Sequence, residues 1–563
     1  TDYWTVRGQF SVNRKYSNGE RFIDPLSSKT TASPNDGGHN LGDLYVDNGN
    51  NLSWNANAAL YYTRSFNKHN LNLSVAWEAS SGSSDATNAH YRGFPNGQFH
   101  SPNYAAEIYE KPSRTEGTSR MVSTWATGNY TWNDIYLADF SVRFDGSSDF
   151  GSKQRWAPFF SGGLGVNIHN YEFLKGNEIV NKLKVRASYG RTGKASFPSY
   201  AATTMYEALF DEWYATGFGA VLKALGNNNL SWEKTDKFNV GIEMQFLNRR
   251  LTVDADYYHD KTIDVVNDVS LSQTSGFSSY KDNMGEVLNQ GFELQVRGEV
   301  LRNRDWLVAL WGNMAHNKNK IMKISDSQRA YNQRVKDFYQ KAINEQAYSS
   351  YDPQYGVPIA QYEEGQSLTS IWAVKSLGID PTTGKEIFLN RDGSVSDTWN
   401  ATQEVVVGNT EPKFNGSVGF NVAYKAWSLF AAFQYERGGQ EYNQTLVDRV
   451  ENARIQYQNV DLRVLTDRWK QPGDIAQFKD IKDADYVTMP TSRFVQDKAY
   501  LRLSALTLSY DFNREWIKKH LGMNMLRLEA STRDFINWNS IRQERGLSYP
   551  KSWTVDFSIK AQF

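Results

Sequence analysis

The sequence predicts an all-β protein, a transmembrane antiparallel β-barrel of about sixteen strands, on three observations. Apolar and polar residues alternate with period two through much of the chain, the mark of strands with one greasy and one wet face. The segments between these stretches fall into a short and a long class that take turns along the chain. Phe, Trp and Tyr make up 14% of 563 residues, yet mean hydropathy is −0.62. No run approaches the roughly 20 apolar residues of a membrane helix. A barrel reconciles these values, because only alternate strand residues meet lipid while aromatic girdles mark both interfaces.

The alternation is explicit in three segments. Phe238, Val240, Ile242, Met244 and Phe246 oppose Asn239, Gly241, Glu243 and Gln245. Tyr136, Ala138, Phe140, Val142 and Phe144 oppose Asp139, Ser141 and Arg143. The last segment sets Trp553, Val555, Phe557, Ile559, Ala561 and Phe563 against Thr554, Asp556, Ser558, Lys560 and Gln562. A helix would scatter each set around its circumference. By the same criterion strands are expected near 3–14, 51–65, 68–80, 118–131, 134–146, 155–168, 181–191, 230–246, 249–262, 289–301, 305–318, 412–424, 426–438, 498–511, 525–534 and 552–563.

The short connections are Asn67-Lys68, Trp132-Asn133-Asp134, 247–250, 302–305 and Lys425, with 169–180 and 512–524 long enough for a helical turn. The long ones are 16–50, 81–117, 192–229, 263–288, 319–411 and 439–497. With Phe563 at the periplasm as the barrel-assembly terminal residue, counting backward places every long loop outside without a register shift. The whole chain, 1–563, is therefore expected to be barrel wall with long extracellular loops. Residues 327–346 have a helical composition without Gly or Pro, and 441–470 also mixes helix formers.

Composition excludes several classes. Lys plus Arg and Asp plus Glu are 62 each, so no global field draws the chain to nucleic acid. Cysteine is absent, which removes disulfides and thiolate metal sites. The eight His are scattered, and His90 and His100 lack helical metal-ligand spacing, so they are expected to be ordinary polar loop residues. Gly378 to Lys385 has one residue too many for a phosphate-binding loop and Glu386 where Ser or Thr is required, so a hairpin turn is expected. Asn390-Arg391-Asp392-Gly393 lacks the ligands of a calcium loop and reads as a turn. No nucleophile elbow is present. No enzyme, cofactor or metal is expected.

A set of phrases identifies a family. Tyr136-Leu137 with Arg143-Phe144-Asp145-Gly146-Ser147-Ser148-Asp149-Phe150-Gly151 resembles the YLxxxxxRxDGSSxFG of SusC-like (RagA-like) TonB-dependent transporters. Leu183 to Gly193 is similar to the family's LKxRxSYGxTG, and Leu230-Ser231-Trp232-Glu233-Lys234-Thr235 and Asn289-Gln290-Gly291-Phe292-Glu293-Leu294 match recurrent strand phrases. Arg468-Trp469 with Pro472-Gly473-Asp474 resembles RWxxPGD, and Tyr500-Leu501-Arg502-Leu503 opens the phrase YLRLxxLTLxY. The resemblance covers nearly the whole chain in the family's order.

It implies a 22-stranded barrel importing a bulky nutrient, glycan or peptide, across the bacterial outer membrane. A SusD-like surface lipoprotein would lid it, and TonB would act through a plug. The plug, the TonB box, a signal sequence and about six strands are not visible here. The chain is thus expected to be the C-terminal portion, its missing strands and plug on another chain or segment. Where the family often has Gly-x-Asp-Pro-Glu, residues 542–550 depart from it. Candidate substrate contacts are the loop aromatics Trp213, Tyr214, Tyr331, Tyr339, Trp372 and Trp399, which could stack on sugar rings or peptide side chains. Glu243, Gln245, Asp254 and Asp256 would line the lumen. A passive porin and a structural scaffold in a larger outer-membrane complex are the alternatives.

Overall fold

In the computed structural model the described residues are all except 1–2, 28–40, 195–199, 201, 216, 271–278, 284, 345–352, 454, 456–459, 484–486 and 543–552. Their dominant feature is one antiparallel meander in which each strand pairs with its sequence neighbour in the wall. The strands are β1 Trp4–Ile23, β2 Asp43–Phe66, β3 His69–Arg92, β4 Glu107–Trp132, β5 Tyr136–Ser147, β6 Trp156–Asn167, β7 Val180–Lys194 and β8 Glu233–Phe246. They continue as β9 Leu251–Ile263, β10 Glu286–Arg302, β11 Trp306–Lys323, β12 Phe414–Tyr424, β13 Trp427–Tyr442 and β14 Val495–Asp511. The fifteenth, β15, is split into Met525–Thr532 and Asn537–Asn539, and β16 is Val555–Gln562. Every expected strand is present. Among the described residues β1 pairs only with β2, and β16 only with β15.

The pairing sorts side chains onto two faces. Trp306 lies opposite Tyr424, Tyr424 opposite Trp427, and Trp427 opposite Tyr510. Trp306 and Tyr424 have ring centroids 4.4 Å apart, Trp427 and Tyr510 4.8 Å, Trp4 and Tyr62 4.7 Å, and Trp132 and Tyr136 5.4 Å. These contacts form a girdle beside the short turns. From Tyr424 up to Phe414 the strand climbs ten residues. At about 3.3 Å per residue and roughly 40° of tilt this spans about 25 Å, the height of an outer-membrane apolar band.

At the short turns Asn67, Asn133, Asp134 and Lys425 take φ of 49°, 53°, 56° and 53°. Asn and Asp tolerate this left-handed region because their side chains bond locally. At the opposite rim four strands run far beyond expectation. The anticipated loops 16–50 and 81–117 contract to 24–42 and 93–106, because β1 to β4 continue upward as a ladder. Polar stretches resembling turns are strand: Asn51 lies opposite Ser84, and Asn48 opposite Thr87. Above the band both faces meet water, so nothing selects the apolar alternation that marks a strand in sequence.

The lipid face yields a direct test. Val142 lies on it, between Tyr136 and Phe144, and is 49% exposed. Val142→Arg is expected to destabilise the barrel by about 2–4 kcal/mol, whereas the lumen-facing Ser141→Arg leaves it nearly unchanged. Urea unfolding in lipid vesicles compares the two, and equal effects would reverse the assignment of faces.

Candidate functional site

The lumen face carries a ladder of charges. Glu243 on β8 receives Lys182 Nζ at 2.6 Å and lies 3.5 Å from Lys184 Nζ and 3.3 Å from Arg186 Nε, all on β7. Arg186 also donates through one Nη to both Asp256 oxygens, at 2.7 and 2.9 Å. Asp256 stands on β9, so this pair crosses β8 over Gly241. A Cβ there would lie 2.3 Å from an Asp256 oxygen and 2.9 Å from the guanidinium carbon, which explains the glycine. On the outward face, two residues from Phe238 and Tyr189, Arg191 on β7 and Asp236 on β8 form a separate two-pronged pair, at 2.6 and 2.7 Å. Glu243 and Asp256 thus share the face expected of them.

At the extracellular rim the sequence phrases meet. In the turn after β5, Asp149 accepts from Ser119 Oγ at 2.6 Å, and Asp145 accepts from Arg143 Nε at 2.6 Å. Phe150, which follows, is buried and stacks on Trp232 at 4.2 Å, with Ala157 and Phe159 completing the cluster. Gly151 donates to Leu230 O at 3.1 Å, and a Cβ on it would lie 2.2 Å from Asn228 O. The DGSSxFG turn and the LSWEKT strand entry are two halves of one packed joint.

Two of the long loops interlock into a folded body. The helix α1, Asp326–Asn344, starts one residue before the span expected to be helical and presents Val335, Tyr339 and Ala342 to a core with Val374, Phe388, Trp399, Ala401 and Met489. A second core, Leu446, Val447, Val450, Ala453, Val464, Phe478 and Phe494, belongs to the later loop. The loops are stapled where Trp399 Nε1 donates to Pro490 O at 3.0 Å and Trp469 Nε1 to Pro381 O at 2.9 Å. Arg493 joins them electrostatically. It grips Glu386 with two bonds of 3.1 and 2.9 Å, Glu451 at 2.6 Å and Gln477 O at 2.6 Å. Burial pushes the Glu451 carboxyl up, but the Arg493 guanidinium outweighs it and holds the group below the usual carboxylate range. Arg468 donates to Val450 O, Glu451 O and Lys479 O, so the RWxxPGD phrase ties the loop's own backbone together.

The expected ligand-contacting aromatics fall in different surroundings. Tyr339 is fully buried, donating to Val357 O at 2.6 Å and accepting from Ile359 N at 3.2 Å. Trp372 and Trp399 are buried as well. These three rings pack the loop body instead of facing solvent. Tyr331 is half-buried beside Tyr362, with the Arg334 guanidinium 5.8 Å over its ring. Trp213 and Tyr214 belong by backbone to a hairpin of Met205–Tyr214 with Gly217–Ala224, and their side chains lie outside the described residues. Phe563 is exposed just beyond β16. The stripe 335, 339, 342 at helical spacing was a readable sign that Tyr339 is core. Arg493, Glu386 and Glu451 carry no such local sign, being far apart in sequence.

His90 differs from expectation. It stands within β3, buried, with Nε2 2.8 Å from Asp43 Oδ1 and its ring stacked on Tyr45 at 4.1 Å. Asp43 also binds Arg92, whose guanidinium lies 3.4 Å over the Tyr109 ring. The turn readings agree with the structure: Lys375–Ile379 pairs with Glu386–Leu389 across 380–385, and Asn390–Gly393 turns into Val395–Ser396.

A sixteen-strand antiparallel wall with short turns and an aromatic girdle at one rim and long folded loops at the other defines an outer-membrane β-barrel protein. The chain belongs to the family described as TonB dependent receptor-like, beta-barrel, which matches residues 1–531. TonB-dependent receptor P3 of Formosa agariphila is 27% identical over 506 residues, 88% of this chain and 48% of that protein. TonB-dependent receptor SusC of Bacteroides thetaiotaomicron is 30% identical over 302 residues, covering 49% of this chain and 29% of its own length. The RagAB peptide importer in the open-open state superposes with a TM-score of 0.81 at 22% identity, over 100% of this chain and 59% of that one. The chain spans about half the length of the curated relatives it matches along most of its sequence.

Two outcomes follow from the loop body. Arg493→Met leaves Glu386 and Glu451 without their shared cation and is expected to cost the body about 3–5 kcal/mol. Limited proteolysis should then cut within 443–494 while the barrel keeps its heat-modifiable gel mobility; an unchanged cutting rate would remove Arg493 from this role. The second concerns pH. Glu404 is fully buried, accepts from Gln361 Nε2 at 2.6 Å, and burial pushes its carboxyl from 4.5 up to about 7. The folded state holds this proton more tightly than the unfolded chain, so the stability contribution is complete below pH 4.5 and declines as pH rises toward about 7. Hydrogen exchange around 401–404, corrected for intrinsic rate, should show that decline, and Glu404→Gln should abolish it.

Proposed function

We propose that this wall belongs to a TonB-dependent importer that carries a bulky nutrient, glycan or peptide, across the outer membrane. Its partners are a SusD-like lipoprotein at the extracellular face and TonB, acting through a plug outside this chain. The observation that carries the reading is the folded loop body: a passive pore needs no two-core body stapled by Arg493 at its rim. The similarity to SusC and the fold shared with the RagAB importer support it. We assign ligand contact to Trp213, Tyr214 and Tyr331, and to the buried Tyr339, Trp372 and Trp399 the packing of the loop body. The charged lumen ladder suits a polar cargo and a polar plug.

The full-length protein in its native outer membrane tests this. Deletion should abolish uptake of defined oligosaccharides or oligopeptides, the purified protein should be nearly silent in planar bilayers, and a surface lipoprotein should co-purify with it. Steady open-channel conductance would support a porin instead, and unchanged uptake on deletion would support a scaffold. Alanine at both Trp213 and Tyr214 should weaken ligand binding about tenfold, in proportion to one or two lost stacking contacts.

A further inference from the structure

The extracellular edge of the wall has a notch. Strand β12 begins at Phe414, while β11 runs on to Lys323 and β13 runs to Tyr442. Chain from 365–370 and 406–413 lines the gap, leaving a cavity of about 720 Å³ bordered by His316, Lys318, Lys413 and Arg437. Register puts Lys318 and Arg437 of its border on the outward face, while Asn317, Asn319 and Lys498 border it from the lumen face. Arg437 lies directly opposite Phe414, and His316 opposite Phe292, with Lys318 two positions above His316 on the same face. The rings of Phe292, His316 and Phe414 pack together, with centroids 5.4, 5.7 and 6.5 Å apart. Phe414 is ten residues above the Tyr424 girdle, so this is the lipid face at its upper boundary.

Lys318, Lys413 and Arg437 are exposed, and among the described residues none has a carboxylate within ion-pair distance. The wall's other charges make the contrast. Lys498, which also borders the cavity but belongs to the lumen face, lies 3.9 Å from Glu436 and 3.2 Å from Glu441. Of the carboxylates in the lining, Glu411 accepts from the Asn317 amide and from Asn319 N at 3.2 Å. Asp497 accepts from Gln440 Nε2 at 3.2 Å. Three cations therefore stand at headgroup height without protein counterions, above rings that meet acyl chains. Basic groups so placed attract anionic headgroups.

We propose that this notch is a binding site for a phosphorylated, multiply acylated glycolipid of the outer leaflet. Lys318, Lys413 and Arg437 take its phosphates, and Phe292 and Phe414 take the first methylenes of its chains. The lipid is favoured over a soluble phosphate because Lys318 and Arg437 share a face with the membrane band and are continuous with its rings, with Lys413 bordering the same notch one residue before Phe414.

The test is native mass spectrometry of the full-length protein in detergent, titrated with bis-phosphorylated lipid A, dephosphorylated lipid A or inorganic phosphate. Lipid A should bind, and joint Lys318→Gln, Lys413→Gln and Arg437→Gln should weaken it on the order of a hundredfold. Lys518→Gln with Lys519→Gln, at the opposite rim, should not. Equal retention of lipid A by the triple variant, or equal binding of dephosphorylated lipid A, overturns the site. Inorganic phosphate binding as tightly as lipid A overturns its assignment to a lipid. Should the triple variant fail to fold, Arg437→Gln against Arg437→Lys decides: loss in the first with rescue in the second supports the site, and equal binding in both refutes it.

Discussion

The structure depends on one constraint: inside a bilayer no backbone N–H or C=O can be left to water, so each must be met by a neighbouring strand. The antiparallel meander satisfies this from β2 through β15, each strand flanked on both sides. Register follows, since a slip of one residue would turn every lipid-facing side chain into the lumen. Once register is set, so are the two faces. Trp306, Tyr424, Trp427 and Tyr510 line up outside because their strands pair as they do, and Lys182, Arg186, Glu243 and Asp256 meet inside for the same reason. Among the described residues β1 and β16 each have one paired edge.

Legibility in the sequence tracks where solvent changes. Within the band, lipid on one side and a wet lumen on the other impose period two, and segments such as 238–246 and 136–144 were readable as strands with near-final limits. Above the band that selection lapses. The ladder pairs Asn48 to Asn51 with Ser84 to Thr87 through the backbone, and its Ser, Asn and Gly read as loop. In the loops, aromatic residues advertise themselves without saying what they face. Tyr339 and Trp399 were expected at a surface and lie in an interior, since only contacts from distant segments decide burial there. Tyr339 could have been recovered from its helical stripe. Arg493 could not, because its carboxylates come from positions 386 and 451.

The family phrases acquire physical meaning as joints. DGSSxFG and LSWEKT are far apart in the chain, yet Phe150 lies on Trp232 and Gly151 closes against the Asn228 carbonyl. RWxxPGD ties its own loop through Arg468 and the earlier loop through Trp469. None of these residues is placed to do chemistry. They secure the rim, where the regular ladder gives way to irregular chain and backbone groups must find partners one at a time.

The interlocking of the two longest loops has a thermodynamic consequence. Chain that would otherwise lose conformational freedom on meeting a visitor has already lost it during folding, with Arg493 and the indole staples holding it. A surface held in this way would meet a ligand with its ordering cost already met in folding.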